Sequence, residues 1–116
     1  MSDCIFCKIA SGEIPAKPVY EDDEILAFPD IQPQRPVHIL VIPRRHIDSL
    51  AQVGPSDEAL LGRMLGVAGR IAEAQGSPDG FRVIINTGPI GGQEVMHLHM
   101  HIVGGPEPVG PMLKRN

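Results

Sequence analysis

The stretch HLHMHIVGG, residues 97–105, places three of the chain's five histidines at alternate positions. Successive side chains of a β-strand point to opposite faces, so His97, His99 and His101 are expected on one face of a strand. The apolar residues between them would then point to the other face. A lone histidine on a sheet is usually a hydrogen-bonded structural residue, but three in register favour a chemical role.

Two kinds of chemistry use such a row of imidazoles. Histidines two residues apart on a strand can hold a catalytic zinc ion, with water completing the coordination. Alternatively, the middle imidazole can be a nucleophile, provided that one ring nitrogen is unprotonated and the other donates to a fixed acceptor. The histidines by themselves leave both possibilities open.

The glycine-rich segment GPIGGQEV, residues 88–95, directly precedes the row. Successive backbone N–H groups in such a loop can form a nest that binds an anion. The segment is not followed by the Lys and Ser or Thr of a P-loop, which disfavours an ATPase of that type. We therefore expect a small anionic ligand at this loop.

The rest of the pattern predicts an α+β fold, with a mainly antiparallel sheet of about five strands and one long helix. Apolar residues at intervals of three and four predict the helix over residues 57–75, with Ser56 or Asp57 as N-cap and Gly76 as its C-terminal stop. The apolar run at 37–43 is typical of a central strand buried on both faces. The other strands are predicted at 19–21, 25–30, 81–87 and 95–103.

Three glycines, Gly62, Gly66 and Gly69, lie inside the predicted helix. Each costs up to about 1 kcal/mol relative to alanine. Either another backbone approaches closely at these positions, or the helix is merely weak.

Composition narrows the class of protein. With 116 residues, the chain fits a single domain covering residues 1–116. A net charge of −4 argues against nucleic acid as a partner, because nucleic-acid binders usually carry a basic surface. No apolar run is long enough for a membrane span, and no secretory signal is evident, so a cytoplasmic location is expected. The tail at 106–116 is expected to be irregular.

Several long segments resemble the histidine triad (HIT) superfamily, in particular its Hint branch. They are CIFCKIASGEIPAKPVYEDD, AFPDIQPQRPVHILVIPRRHI and VIINTGPIGGQEVMHLHMHIVGG, in that order. The resemblance implies a HIT-like fold and a homodimer whose sheet continues across the interface. It also implies a hydrolase that cleaves nucleoside phosphoramidates or acyl-nucleotides through a covalent nucleotidyl-histidine. The product would be a purine nucleoside monophosphate, AMP or GMP.

The same resemblance implies individual roles. His99 would be the nucleophile, with His101, His38 and Asn86 around the phosphate and Asp30 on the ribose hydroxyls. Without the resemblance, Asp30 is better interpreted as a turn residue. The implied nucleotide-binding residues are Ile5, Phe6, Ile9, Phe28, Asp30, Ile31, Leu40, Asn86, Gly92, Gln93, Glu94, Val95, His99 and His101.

Glu94 departs from the family pattern, because many Hint proteins have a serine there. A carboxylate would repel an anionic substrate unless it is protonated or turned away. This keeps open a non-catalytic nucleotide-binding or scaffold module, beside a zinc hydrolase that uses the histidine row as ligands. Dinucleoside polyphosphate cleavage, known in another branch, is a weaker variant.

Cys4 and Cys7 form a CxxC pair close to the N-terminus. A thioredoxin-like site would need a strand before the pair, and a disulfide is disfavoured in the cytoplasm. By resemblance to zinc-bearing relatives, His46 and His97 would complete a closed, structural zinc site. No organic cofactor is expected.

Overall fold

The computed structural model describes residues 3–113. Its elements follow in the order α1 (Ile5–Ala10), β1 (Tyr20–Glu21), β2 (Ile25–Pro29), β3 (Val37–Pro43), α2 (Glu58–Ala74), β4 (Phe81–Ile84) and β5 (Met100–Gly104). The strands form one sheet in the order β1-β2-β3-β5-β4, and every neighbouring pair is antiparallel. The predicted α+β class, with five strands and one long helix, is confirmed.

Strand β3 lies at the centre of the sheet, and all seven of its residues are buried. Ile39 and Val41 point to one face, where they join the apolar stripe of α2. Leu40 and Ile42 point to the other face, where they pack with Phe6 of α1. The prediction that the apolar run at 37–43 forms a central strand buried on both faces is thus confirmed, because each face of β3 packs in its own hydrophobic cluster.

The register between β3 and β5 decides which histidines meet. Leu40 pairs with His101 and His38 pairs with Val103. Paired residues share a face of the sheet, so His38 and His101 both lie on the α1 face.

Helix α2 has the predicted ends, but its N-terminus lacks a side-chain cap. Gly76 follows the C-cap residue Gln75 with a φ of 107°, the left-handed conformation that favours glycine. Asp57 is the N-cap residue, as predicted, but its side chain makes no capping hydrogen bond to α2. The Asp57 carboxylate accepts instead from the Gly54 N–H, 3.0 Å away, across a preceding 3₁₀ turn. It also pairs with Arg45.

The helix glycines do not face another backbone within residues 3–113. A Cβ at Gly62 or Gly66 would meet open space, and one at Gly69 would only touch the Phe81 ring at 3.9 Å. Within one chain, these glycines therefore simply weaken α2.

Two strand boundaries differ from the prediction by several residues, and one helix was not predicted. The last strand begins at Met100 and not at residue 95, because the Leu98 N–H donates to the Ile47 carbonyl oxygen, outside the sheet. Leu98 nevertheless packs on the α2 side, so the predicted alternation of faces holds. Strand β4 ends at Ile84, and the six-residue helix α1 was not predicted.

The tail is irregular over residues 106–113, and residues 114–116 of the predicted tail lie outside the described part. Among the helices of residues 3–113, none has the length and apolar character needed to cross a bilayer.

Candidate active site and metal centre

A cavity of about 900 Å³ opens on the α1 face of the sheet. It extends from α1 across β2 and β3 to the histidines that lead into β5. All the predicted nucleotide-binding residues except Gln93 line it: Ile5, Phe6, Ile9, Phe28, Asp30, Ile31, Leu40, Asn86, Gly92, Glu94, Val95, His99 and His101. Residues that are far apart in the sequence thus converge on one pocket.

Part of the cavity wall was not predicted from any sequence pattern. Residues 14–17 line the far end, and Lys17 brings a positive charge there. The Gly- and Pro-rich character of this segment predicted only a turn.

Gln93 stabilises the glycine loop rather than lining the cavity. Its Oε1 accepts from the Gly88 N–H at 2.9 Å, and its Nε2 donates to the carbonyl oxygens of Asp48 and Val95, each at 2.8 Å. Both polar atoms of its side chain are therefore occupied by backbone groups of the loop and of Asp48.

The loop does not form the predicted nest from its glycine N–H groups. Gly91, Gly92 and Gln93 donate to carbonyl oxygens within the loop, at 3.0 to 3.2 Å. A Cβ at Gly91 would overlap the Thr87 carbonyl oxygen, which explains the glycine. Where the loop borders the cavity, the backbone N–H groups that remain for an anion among the described residues are those of Glu94 and Val95.

His99 is held in one orientation. Its Nδ1 lies 2.7 Å from the carbonyl oxygen of His97, and a carbonyl can only accept, so Nδ1 carries the proton. The Phe6 ring packs edge-on against the imidazole, with ring centroids 5.1 Å apart. Neutral His99 therefore keeps an unprotonated Nε2, as a nucleophile requires.

The His38 and His101 rings form a hydrogen-bonded pair with assignable protons. The Gln34 backbone N–H donates to His38 Nδ1 at 3.0 Å, so the proton of neutral His38 is on Nε2. This Nε2–H donates to His101 Nδ1 at 2.9 Å. The proton of neutral His101 must then be on its own Nε2, which leaves that N–H available to a ligand.

His101 is neutral at physiological pH. Burial is the main cause that lowers its pKa to about 4, and the neighbouring His99 and His38 lower it further. Asp30 acts in the opposite direction. A neutral imidazole there can donate to phosphate without adding a charge.

Asp30 contributes one oxygen to the backbone and one to the site. Its Oδ1 accepts from the Gln32 N–H at 2.8 Å, and its Oδ2 lies 3.4 Å from His38 Nε2. Asp30, His38 and His101 together resemble a metal-binding triad. A metal on His38 Nε2 would require the ring proton on Nδ1, but Nδ1 already accepts from the Gln34 N–H. The three side chains therefore fit a hydrogen-bonded cluster better than a metal site.

Cys4, Cys7, His46 and His97 converge at the other end of the row, with their ligand atoms all within 4.8 Å of one another. His97 Nδ1 lies 3.3 Å from Cys4 Sγ and 3.5 Å from Cys7 Sγ, and His46 Nδ1 lies 3.2 Å from Cys7 Sγ. Zn–S and Zn–N bonds of about 2.3 and 2.05 Å would place N and S about 3.5 Å apart in a tetrahedron. The four side chains fit a zinc ion.

The second ring nitrogen of each of these histidines is also occupied. His97 Nε2 donates to the Pro43 carbonyl oxygen at 2.8 Å, and His46 Nε2 lies 2.6 Å from Asp48 Oδ1. Both bonds direct the Nδ1 lone pairs toward the sulfurs, as the hydrogen-bond partners of metal-bound histidines do. Burial is the main cause that lowers the pKa of His97, which favours the neutral, ligating form.

The row is therefore divided. His97 faces the cysteines, His99 is fixed by a backbone carbonyl, and His101 pairs with His38. Within residues 3–113, the ligand atoms of the three do not gather around one point, which argues against a metal held by the whole row.

Comparison with known proteins decides the family. The sequence matches the HIT domain family over residues 11–107. The chain belongs to the HIT family. It is 56% identical over 106 residues to protein HitA of Neisseria gonorrhoeae, covering 91% of this chain and 99% of that one. It is 52% identical over 112 residues to the purine nucleoside phosphoramidase of Escherichia coli K12, covering 96% and 93%.

A solved HIT structure agrees with the fold. The crystal structure of a HIT family hydrolase from Legionella pneumophila superposes with a TM-score of 0.86 at 48% identity, covering 90% of this chain and 95% of that one. The resemblance inferred from the histidine row and its flanking segments is thus confirmed at the level of the family.

Proposed function

We propose that this HIT protein is a nucleotide-binding hydrolase that cleaves the P–N bond of purine nucleoside 5′-phosphoramidates or the corresponding bond of acyl-nucleotides. The likeness to a purine nucleoside phosphoramidase and to a HIT family hydrolase supports hydrolase activity on a nucleotide. The observation that carries the proposal is the hydrogen bond from His99 Nδ1 to the His97 carbonyl, which leaves Nε2 unprotonated at the cavity.

In the proposed reaction, His99 Nε2 attacks the α-phosphorus and forms a P–N bond to the imidazole. The His97 carbonyl stabilises the resulting positive ring through Nδ1–H. The P–N bond to the leaving amine breaks, its electron pair stays on the amine, and water supplies the proton. A second water then attacks phosphorus and gives a proton to the hydroxide left by the first, and the P–N bond to His99 breaks, which releases the nucleoside monophosphate and neutral His99.

The charge that develops on the phosphoryl oxygens needs donors. His101 Nε2–H and the Asn86 amide both line the cavity and can donate without adding charge. We expect these two groups to hold the phosphate while His99 reacts.

The purine is expected in the apolar part of the cavity, between α1 and β2. Phe6 and Phe28 meet there edge to face, with centroids 5.8 Å apart. Asp30 Oδ2 is the carboxylate oxygen left to accept from ribose hydroxyls. AMP and GMP both fit this chemistry, because the wall is mainly apolar.

The test is to trap the nucleotidyl adduct. The protein is mixed with adenosine 5′-phosphoramidate and quenched, and intact-mass spectrometry and peptide mapping should locate the adduct on His99. His99→Ala should form no adduct and lose turnover. Normal turnover by that variant excludes the mechanism, whereas tight AMP binding without any turnover by the native protein favours a binding module.

We also propose that Cys4, Cys7, His46 and His97 bind a structural zinc ion that holds α1 against the sheet. Metal analysis of protein purified without chelator should find about one zinc per chain. Removing it should lower the thermal midpoint while chemistry persists wherever the chain stays folded. Complete loss of activity in the still-folded metal-free protein would favour zinc hydrolysis instead.

A homodimer is proposed through β4 and the exposed side of α2. Strand β4 is at an edge of the sheet, and such edges pair readily with another strand. Phe81, the first residue of β4, is 41% exposed, and Leu65 of α2 is 54% exposed. Gly62 and Gly66 are open positions on the same helix. A second copy's helix could approach closely there, which would explain the glycines. Light scattering should give twice the chain mass, and Leu65→Asp should give monomers.

A further inference from the structure

A second, smaller cavity of about 340 Å³ adjoins the first. The two share Gln34, His38, Asn86 and His101, so the histidine pair forms the wall between them. His99 lines the larger cavity and is absent from the lining of the smaller one within residues 3–113. Strand β4 and the tail segment 109–112 close the far side.

The charge of the smaller cavity is opposite to that of the chain. Arg35 and Arg82 line it, and among the described residues its lining contains no carboxylate. The chain as a whole carries a net charge of −4, and the larger cavity contains both Asp30 and Glu94. Two cations and no anion thus lie on one side of the histidine pair, whereas the other side holds two anions and one cation, Lys17.

The two arginines are bonded only to neutral oxygens. Arg35 donates to the carbonyls of Gln34 and Val109, at 2.7 and 3.2 Å, and Arg82 donates to the Gly110 carbonyl. Neither forms an ion pair within residues 3–113. Their acceptors, Val109 and Gly110, are consecutive residues of the tail, so both side chains contact the same part of the cavity wall. Each guanidinium has five N–H donors, so several remain for a ligand.

The layout of the sheet fixes the direction of the leaving group. The apolar part of the larger cavity lies over β2 and β3, and His99 and His101 follow on the β5 side. In a displacement at phosphorus, the attacking and leaving atoms lie roughly in line on opposite sides. With the base over β2 and His99 in the larger cavity, the space beyond His101 is the smaller cavity, beside β4.

We propose that the smaller cavity receives the leaving group, and that Arg35 and Arg82 select leaving amines that carry a carboxylate. The substrate class is a purine nucleoside 5′-phosphoramidate whose nitrogen belongs to an amino acid with a free carboxyl group. This inference rests on the proposed function. The carboxylate replaces a backbone carbonyl as the partner of at least one guanidinium and forms a charge-assisted, bidentate contact.

The experiment compares two substrates that differ in one charge. Adenosine 5′-phosphoramidates are made from alanine and from alaninamide, both linked through the α-nitrogen, and kcat/KM is measured for each. The native protein should prefer the acid by about tenfold, the factor that a charge-assisted hydrogen bond of about 1.4 kcal/mol gives. Arg35→Gln and Arg82→Gln should each reduce this ratio, and the double variant should bring it close to one.

Two further variants separate charge from structure. Arg82→Lys keeps the charge but loses the planar fork, so its ratio should lie between those of the native protein and Arg82→Gln. Arg70→Gln, an exposed site on α2, should keep the native ratio. If the arginines only hold the tail, their replacement changes both substrates alike and leaves the ratio constant, which overturns the inference.

The unsubstituted adenosine 5′-phosphoramidate distinguishes failure of the proposed function from failure of the leaving-group assignment. If the native protein does not turn it over, the proposed function itself fails. If it is turned over but the acid and the amide react equally well, the proposed hydrolase activity is supported and the leaving-group assignment is wrong.

Discussion

Replacement of His101 by asparagine should flatten the dependence of stability on pH. Burial, assisted by His99 and His38, lowers the His101 pKa from 6.5 to about 4, against the opposing effect of Asp30. Between these values the unfolded chain binds more protons than the folded one, so stability falls as the pH falls. From about pH 7 to about pH 4.5 this single group accounts for a loss of roughly 2 kcal/mol.

Asparagine preserves the contact while removing the titration. Its side-chain oxygen can accept from His38 Nε2–H, as His101 Nδ1 does. Urea unfolding followed by far-ultraviolet circular dichroism gives the free energy of unfolding of both proteins at each pH. All other titratable groups are present in both proteins, so their contribution largely cancels in the difference. Equal losses in the two proteins would refute a depressed His101 pKa.

Three other perturbations follow from single contacts. Gly104→Ala should destabilise the fold by about 1–3 kcal/mol, read from urea unfolding, because the new Cβ would lie 2.9 Å from Ser77 Cβ and overlap Ser77 Oγ; unchanged stability would contradict this packing. Asp48→Asn should weaken zinc binding about 10–100-fold in a chelator competition, since Asp48 orients His46; equal affinity would argue against this orienting role of Asp48. Glu94→Gln should raise kcat/KM for an anionic phosphoramidate several-fold at low salt and less at high salt, because a like charge leaves the cavity; a salt-independent effect would point to another cause.

Local patterns predicted the sheet well because they need only the geometry of one strand. The apolar run of β3 predicted burial on both faces. The alternation of His99, Met100 and His101 predicted which face of the last strand each side chain occupies. The hydrogen bond from Leu98 to Ile47 could not be predicted, since it joins segments with no shared pattern. The sequence therefore predicted correctly which face each of these side chains occupies, although it predicted the start of the last strand incorrectly.

The site was predicted largely through family resemblance rather than through spacing. His46 and His97 reach the cysteines only after the chain has crossed the sheet, and nothing local brings them together. Helix α1 escaped prediction because six residues are too few for a period to stand out. Its N-cap is the Cys4 sulfur, which is not among the usual capping groups.

The pairing of β3 with β5 makes assembly of the site an all-or-nothing event. Sliding one of these strands past the other by a single position would turn His38 or His101 toward α2, so that the two imidazoles would no longer share a face of the sheet. A misaligned sheet could still look native by its content of β-structure while being catalytically silent. During renaturation, regained turnover would therefore report correct strand alignment, and it should lag behind the recovery of secondary structure whenever slipped pairings form first.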